Sequence, residues 1–200
     1  KRCNPPLKEK ELEKAVFPAL KRDWQIHSPY YNNFNAMNEN DNKYVNEVLK
    51  KLNELNAVER FPMNDRGSAD LFATVFMDVS RYNPTKKDWM YYDGTRWVAD
   101  QEGMRAKRNA KTLADVLVRY SATVFLPDDK RQSYIKYTAG MMNYRSRNVM
   151  VTDAKDLNFF ENMELDKDDF LINCRNCVLN LSEDQPKVLE HNADLLLSKI

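Results

Sequence analysis

Apolar residues along this chain recur mostly at helical spacing. In KYVNEVLKKLNELNAVERF, the positions Val45, Val48, Leu49, Leu52 and Leu55 form one stripe, which predicts an amphipathic helix over residues 43–61. PMNDRGSADLFATVFMDVS then places a turn at 64–67 and a helix capped by Asp65 or Ser68, with Leu71, Val75, Phe76 and Val79 facing inward. Two long helices are predicted over 102–124 and 128–148, separated at Pro127. Leu113, Leu117, Tyr120 and Val124 make the stripe of the first, and Tyr134, Tyr137, Met141 and Tyr144 that of the second. Packing between two antiparallel helices is the expected role of these tyrosines, ahead of a platform for stacking bases. Thr152 or Asp153 is placed to cap a further short helix running to Phe160.

The period changes from helical to strand-like in two places. In WMYYDGTRWVAD, Asp93-Gly94 reads as the two-residue turn of a hairpin that pairs Tyr92 with Thr95, Tyr91 with Arg96, Met90 with Trp97 and Trp89 with Val98. Both faces of such a hairpin are apolar, so at least one must be covered by other elements, and Arg96 lies within reach of the Tyr91 ring. After Asp169, short strands are expected in DFLINC, CVLNLS and KVLEH. The fold class is α+β, mainly helical, with an aromatic β-hairpin and a small C-terminal antiparallel element.

Ahead of all this, CNPPLKEKELEKAVFPALKRDW predicts a helix with Leu12, Ala15, Val16, Ala19 and Leu20 on one side, bent or ended at Pro18. HSPYYNNFNAMNENDN is a linker, which puts a domain boundary within 32–42 and divides the chain into 1–40 and 41–200.

Composition supports a packed protein of 200 residues: 42% are hydrophobic, 30% charged, and only four are Gly. No apolar run approaches the ~20 residues that cross a bilayer, so no membrane partner is expected. An odd count of three Cys suits a reducing, intracellular setting, and a start at Lys1 suggests a piece of a longer polypeptide.

Net charge is +1, but its distribution is uneven. Arg105, Lys107, Arg108, Lys111, Arg119, Lys130, Arg131, Lys136, Arg145 and Arg147 face only Asp115, Asp128 and Asp129 over 105–147, whereas residues from 148 onward are predominantly acidic. Four of these cations crowd the first turns of a predicted helix, where the helix dipole disfavours each by ~0.3–1 kcal/mol. A phosphate backbone, an acidic partner or the chain's own acidic half would favour them there.

Catalytic and metal-binding patterns find little support. Cys174-x-x-Cys177 supplies one pair of the four ligands of a zinc site, and Cys3, His27 and His191 are scattered; the plainer reading is a hairpin turning at Arg175 and Asn176. Asp166 and Asp168 resemble a magnesium-binding pair without a second acidic strand. The isolated glycines form no phosphate-binding loop, and the two His stand near no nucleophile motif. No catalytic residue and no metal ligand is assigned.

The order of the segments carries a resemblance. PMNDRGSADLFATVF, WMYYDGTRWVAD, two helices and DFLINCRNCVLNLS are similar to the domain that directly precedes the superfamily 3 helicase in phage, plasmid and poxvirus primase-helicases, the poxvirus primase-helicase N-terminal-like domain. There, an N-D-x-G-N-A-like helix start precedes a W-x-x-Y-D-G-x-x-W hairpin and an L-L-N-x-x-N-G-V-L-D-L hairpin; here Cys177 stands at the Gly of the last. The similarity runs over about 63–182, and NPPLKEKELEKAVFPALK resembles the helical tail of the primase side.

The resemblance implies a non-catalytic linker or accessory module for DNA replication in a bacterial host's cytoplasm. The active sites, with their ATP and magnesium, would lie elsewhere in the parent, so no cofactor is expected in these residues. The implied partners are single-stranded or forked DNA, the adjoining primase and helicase domains, and further copies in a ring. DNA phosphates would meet Arg105, Lys107, Arg108, Lys111, Lys130, Arg131, Arg145 and Arg147. The alternative is an oligomerisation collar without DNA contact, using an exposed hairpin face with Trp89, Tyr91 and Trp97.

Overall fold

The computed structural model of the chain describes residues 39–160, 165–183 and 185–200. The helix expected around Leu12 to Leu20, most of the Asn-rich linker, and the side chains of Cys3 and His27 lie outside the described residues. Residues Val45–Ile200 form one compact unit.

Helix α1 (Glu39–Glu54) buries Val45, Val48 and Leu52. The single helix expected over 43–61 is in fact broken, because Asn56 takes a left-handed conformation (φ 47°) that starts the short α2 (Ala57–Arg60) on a new axis. Asn is among the few residues that tolerate this conformation, and the backbone N–H groups of Ala57 and Val58 find the phenol oxygen of Tyr120. Helix α3 (Asp65–Phe76) is capped by Asn64 rather than by Asp65 or Ser68; its side chain accepts from the Gly67 N–H at 2.8 Å.

Strands β1 (Ser80–Asn83), β2 (Asp88–Tyr92) and β3 (Trp97–Asp100) form an antiparallel sheet in that order. The register differs from the expected one by two residues: Tyr92 pairs with Trp97 and Trp89 with Asp100. Asp93 causes the difference. Its carboxylate accepts from the Thr95 N–H at 2.8 Å, the Thr95 hydroxyl at 2.7 Å and the Arg96 N–H at 2.9 Å, which spreads the turn over four residues, with Gly94 at φ 101°. Burial pushes the Asp93 carboxyl upward, yet these bonds and the Arg96 charge leave it below its ordinary value. A two-residue shift keeps each side chain on its expected face.

Both faces of this sheet are covered, as its apolar character requires. Trp89 packs edge-on against Phe72 of α3 at 6.0 Å, and Trp97 packs edge-on against Phe160 at 5.0 Å. Phe160 reaches that face because its segment bridges to β1, with Tyr82 N–H donating to Asn158 O and Phe160 N–H to Tyr82 O, each at 2.9 Å.

After a 3-10 turn (Gln101–Gly103), α4 (Met104–Thr123) and α5 (Asp128–Gly140) pack on each other through Tyr120 and Tyr134. The expected helix over 128–148 breaks at 141–143, where Asn143 Nδ2 donates to Gly140 O at 3.1 Å, and α6 (Tyr144–Asp153) starts afresh. The break turns Met150, Val151 and Ala154 onto α3 and α4 and leaves Tyr144 exposed rather than on the stripe. Thr152 and Asp153 accordingly end α6; a short 3-10 helix (Ala154–Asp156) follows with Asp153 at its N-cap position, without a side-chain cap bond and stopping short of Phe160.

Strands β4 (Leu171–Asn173), β5 (Val178–Asn180) and β6 (Lys187–Leu189) form a second antiparallel sheet. Asn173 ties it to the first, its Nδ2 donating to Thr95 O at 3.1 Å and to Lys199 O at 2.9 Å. The architecture is α+β, as the sequence indicates. Among the described residues no helix is long and apolar enough to cross a membrane.

Candidate nucleic-acid interface

The crowding of cations at the start of α4 has an answer inside the chain. Asp100, at the end of β3 and 3% exposed, accepts from the Arg105 N–H at 2.9 Å and the Ala106 N–H at 2.9 Å, placing a buried carboxylate on the positive end of the helix. The negative charge offsets the dipole that would disfavour Arg105, Lys107 and Arg108. Arg105 is further held by Tyr91, whose ring centroid lies 3.8 Å from its guanidinium carbon. Arg96, expected beside Tyr91, instead pairs with Asp93 at 3.7 Å. Asp100→Ala is expected to lower stability by about 2 kcal/mol, near the top of the capping range, and Asp100→Asn by less; thermal melting measures both.

Along α4, Lys107, Lys111, Asp115 and Arg119 recur every fourth residue with Arg108 beside them, opposite the buried Ala110, Leu113, Ala114 and Leu117. Lys107, Arg108 and Lys111 are exposed. Arg147 of α6 reaches the same stripe, because Asp115 feels the charges of Arg147, Arg119 and Lys111. Burial nevertheless dominates at Asp115 and raises its carboxyl above the ordinary value, while burial lowers Arg119. Arg147 also donates to Met142 O at the break between α5 and α6. One half-buried carboxylate thus lies in the field of three cations, which leaves a surplus of positive charge.

The other expected contacts lie apart from this stripe. Lys130 and Arg131 sit in the first turn of α5, beyond the far end of α4, which at 20 residues is roughly 30 Å long. Arg131 is partly buried, its guanidinium donating to Leu126 O at 3.4 Å, and Lys130 borders a cleft lined by Val58, Phe61, Pro62, Met63 and Tyr134. Arg145 is exposed on α6. The stripe therefore gathers Lys107, Arg108, Lys111 and Arg147, with Arg105 at its head. The signal for Asp100 and Asp115, which sequence reasoning passed over, was present: an acidic residue just before a cation-rich helix, and a lone acid at four-residue spacing within it.

The expectation of an exposed tryptophan face is overturned. Trp89 is 4% and Trp97 1% exposed within the chain itself, because α3 covers one and Phe160 the other; the Trp97 indole N–H donates to Ala193 O at 2.9 Å. The collar reading loses the surface it named, although Tyr91 remains half-buried under Arg105. Of the tyrosine stripes, Tyr120 and Tyr134 are core as expected and Tyr137 is half-buried, whereas Tyr144 is exposed. Burial first, then neighbouring Tyr120 and Tyr137, pushes the Tyr134 hydroxyl far upward, and burial with Asp65 raises Tyr137 to about 12.

Cys174 and Cys177 flank the turn at Arg175 and Asn176, with Cys174 N–H donating to Cys177 O at 2.9 Å, and both are free thiols. Neither Asn176 nor Cys177 has positive φ, so the Gly of the related hairpins is dispensable in this turn. Asp166 is occupied by the Ser198 N–H at 2.7 Å and by the Ser198 hydroxyl, and Asp168 by the Phe170 N–H at 2.9 Å. Asp166 thus ties its segment to the C-terminal residues, and Asp168 serves the local backbone. Among the described residues no three His, Cys, Asp or Glu side chains gather as metal ligands do.

The segments of 63–182 that carry the resemblance build this framework. Asn64 caps α3 and Gly67 packs under Pro62; Trp89, Asp93, Gly94 and Trp97 form the covered hairpin; Asn173 joins the two sheets. A family model described as "D5 N terminal like" matches residues 69–200. The chain belongs to this D5 N-terminal-like family. Membership ties it to D5-type primase-helicases of phages and poxviruses. No curated protein matches the chain. The matched span covers both sheets and the α4–α6 helices, so the cationic stripe lies on the D5-like domain itself.

Proposed function

We propose that this D5 N-terminal-like chain is a non-catalytic accessory module of a DNA-replication primase-helicase that contacts DNA through phosphates along the outer stripe of α4. Lys107, Arg108 and Lys111 are the central contacts, and Arg105 and Arg147 flank them; Arg145 on α6 and Lys130 and Arg131 at the start of α5 would add contacts away from the stripe. The observation that carries the reading is that Lys107, Arg108 and Lys111 stand exposed along one side of α4, against which α6 packs with Arg147 near enough to act on Asp115 of the same stripe. Paired cations on a solvent face gain little in isolation. Phosphates would release counterions there and read no sequence. ATP and magnesium would act in the parent protein's helicase, and the module would help load or assemble it on single-stranded or forked DNA in a bacterial cytoplasm.

Fluorescence anisotropy with single-stranded and forked DNA across a salt series tests this. Lys107→Glu with Arg108→Glu, both exposed and without a bond to another side chain among the described residues, is expected to weaken binding to every sequence equally. It should also reduce the slope of log affinity against log salt by about 0.7–0.9 for each phosphate that is no longer neutralised. Salt-independent binding, or an unchanged slope in the double variant, would refute the proposal. Arg105 is a poorer choice, since reversing it also breaks its contact with Tyr91.

A further inference from the structure

Tyr91 and Arg105 form a stack that the fold holds in place from both sides. Tyr91 lies on β2, the central strand of its sheet, opposite Ser80 of β1 and Val98 of β3. Arg105 stands in the first turn of α4, its backbone N–H held by both carboxylate oxygens of Asp100 at 2.9 and 3.0 Å. Its guanidinium carbon lies over the Tyr91 ring, 3.8 Å from the centroid. At that separation only a guanidinium close to parallel with the ring keeps its nitrogens clear of the ring atoms. One plane of the group is covered by tyrosine, while the residue as a whole is exposed, which leaves the other plane to solvent. Among the described residues no carboxylate pairs with this guanidinium at salt-bridge distance.

The surface beside the stack is mixed in a way that suits a nucleotide better than a phosphate alone. Met104, 61% exposed, precedes Lys107, Arg108 and Lys111 by three, four and seven residues, so it stands at the head of their stripe. Arg108 follows Arg105 by three residues, a spacing that sets the two Cβ atoms roughly 5–6 Å apart. A thioether and an outward guanidinium plane thus adjoin the cations. A phosphate gains from the cations and nothing from an exposed methionine. A base on the same strand gains from the rest, because nucleobases stack on guanidinium planes and sulfur packs well against aromatic rings. Within a duplex both faces of a base are covered by its neighbours, so the base that docks here must be unstacked.

We infer that Arg105, backed by Tyr91 and flanked by Met104, stacks on an unpaired nucleobase of single-stranded DNA whose phosphates lie along Lys107, Arg108 and Lys111. The inference rests on the phosphate contact proposed above and adds to it a preference for single over double strands. Every base has a π-face, so the platform reads no sequence. Tyr91 and Asp100 fix the arginine before DNA arrives, so little side-chain freedom is lost on stacking.

Fluorescence anisotropy of the full chain, with an oligothymidine and with a strand of equal length whose nucleotides are all abasic, tests this at matched phosphate number. The unsubstituted chain is expected to bind the thymidine strand about tenfold more tightly, the order that stacking of one base gives. Arg105→Lys keeps the charge and loses the plane. It should bind the thymidine strand several-fold less tightly, leave the abasic strand unaffected, and keep the slope of log affinity against log salt. Tyr91→Phe preserves the support and should bind as the unsubstituted chain does, whereas Tyr91→Ala should follow Arg105→Lys. Equal binding of the two strands by the unsubstituted chain, with salt dependence intact, overturns the platform and leaves the phosphate contact standing. An Arg105→Lys chain that keeps its full preference for the thymidine strand also overturns it, because the base then stacks elsewhere. Absence of salt-dependent binding to either strand overturns both readings.

Discussion

Replacing Trp97 by alanine is expected to cost about 3–5 kcal/mol, the range for emptying a large aromatic site in a core. Trp97 is 1% exposed, packs edge-on against Phe160 at 5.0 Å and lies against Tyr92, and its indole N–H donates to Ala193 O. Its removal opens a cavity at the point where β3, the Phe160 segment and the C-terminal residues meet, since its own backbone N–H donates to Leu197 O at 2.8 Å. At roughly 2–4 °C per kcal/mol for a chain of this size, the melting temperature should fall by on the order of 10 °C. Trp97→Phe keeps most of the ring and loses the indole hydrogen bond, so a loss of about 1–2 kcal/mol is expected. If alanine and phenylalanine cost the same, the buried volume is not what Trp97 contributes.

The second large effect is Gly67→Ala. In an ordinary helix this change stabilises by up to ~1 kcal/mol, but here a Cβ would lie 2.0 Å from Pro62 O and 2.8 Å from two of the proline ring carbons. Backbone must move, and Gly67 is also the residue whose N–H the Asn64 cap holds. The clash outweighs the propensity gain, and a net loss of about 3 kcal/mol is expected, toward the upper end for overpacking. Gly140, at the end of α5 with nothing within 4 Å of its added Cβ, is the control. Gly140→Ala should leave stability unchanged or raise it by about 0.5–1 kcal/mol. Opposite signs in one melting experiment would separate close approach from helix propensity.

Both predictions concern residues of the family-like segments, and that explains why the family was legible while the site was only partly so. Asn64, Gly67, Trp89, Asp93, Gly94, Trp97 and Asn173 each perform a local task whose residue type is dictated by geometry: a cap, a close approach, a turn carboxylate, a large ring, a bridging amide. Cations have no such requirement. A Lys on a solvent stripe and a Lys at a helix end look alike in sequence, so the expected set divided into a stripe on α4 and α6 and a separate pair at the start of α5.

The misread elements share one cause as well. The periodicity of 43–61 and 128–148 continues through Asn56 and the residues after Gly140, and nothing in an apolar stripe says where a helix must turn. Tyr120 supplies the acceptor for the N–H groups at the start of α2, from a helix about sixty residues away, and α3 with α4 supplies the surface onto which α6 is turned. The burial of Trp89 and Trp97 was hidden in the same way, because Phe72 and Phe160 come from segments before and after the hairpin.

By itself the sequence determined the α+β class, the positions of most helices and strands, the face each strand residue occupies, the turn at Cys174–Cys177 and the family. These follow from periods and turn chemistry that act within a few residues. The tertiary structure alone decided the hairpin register, the two helix breaks, the capping of α4 by Asp100, the field of Lys111, Arg119 and Arg147 at Asp115, and the stacking of Arg105 on Tyr91. Most of these join groups from different elements, and burial and charge pairing respond to distance in space rather than to separation along the backbone.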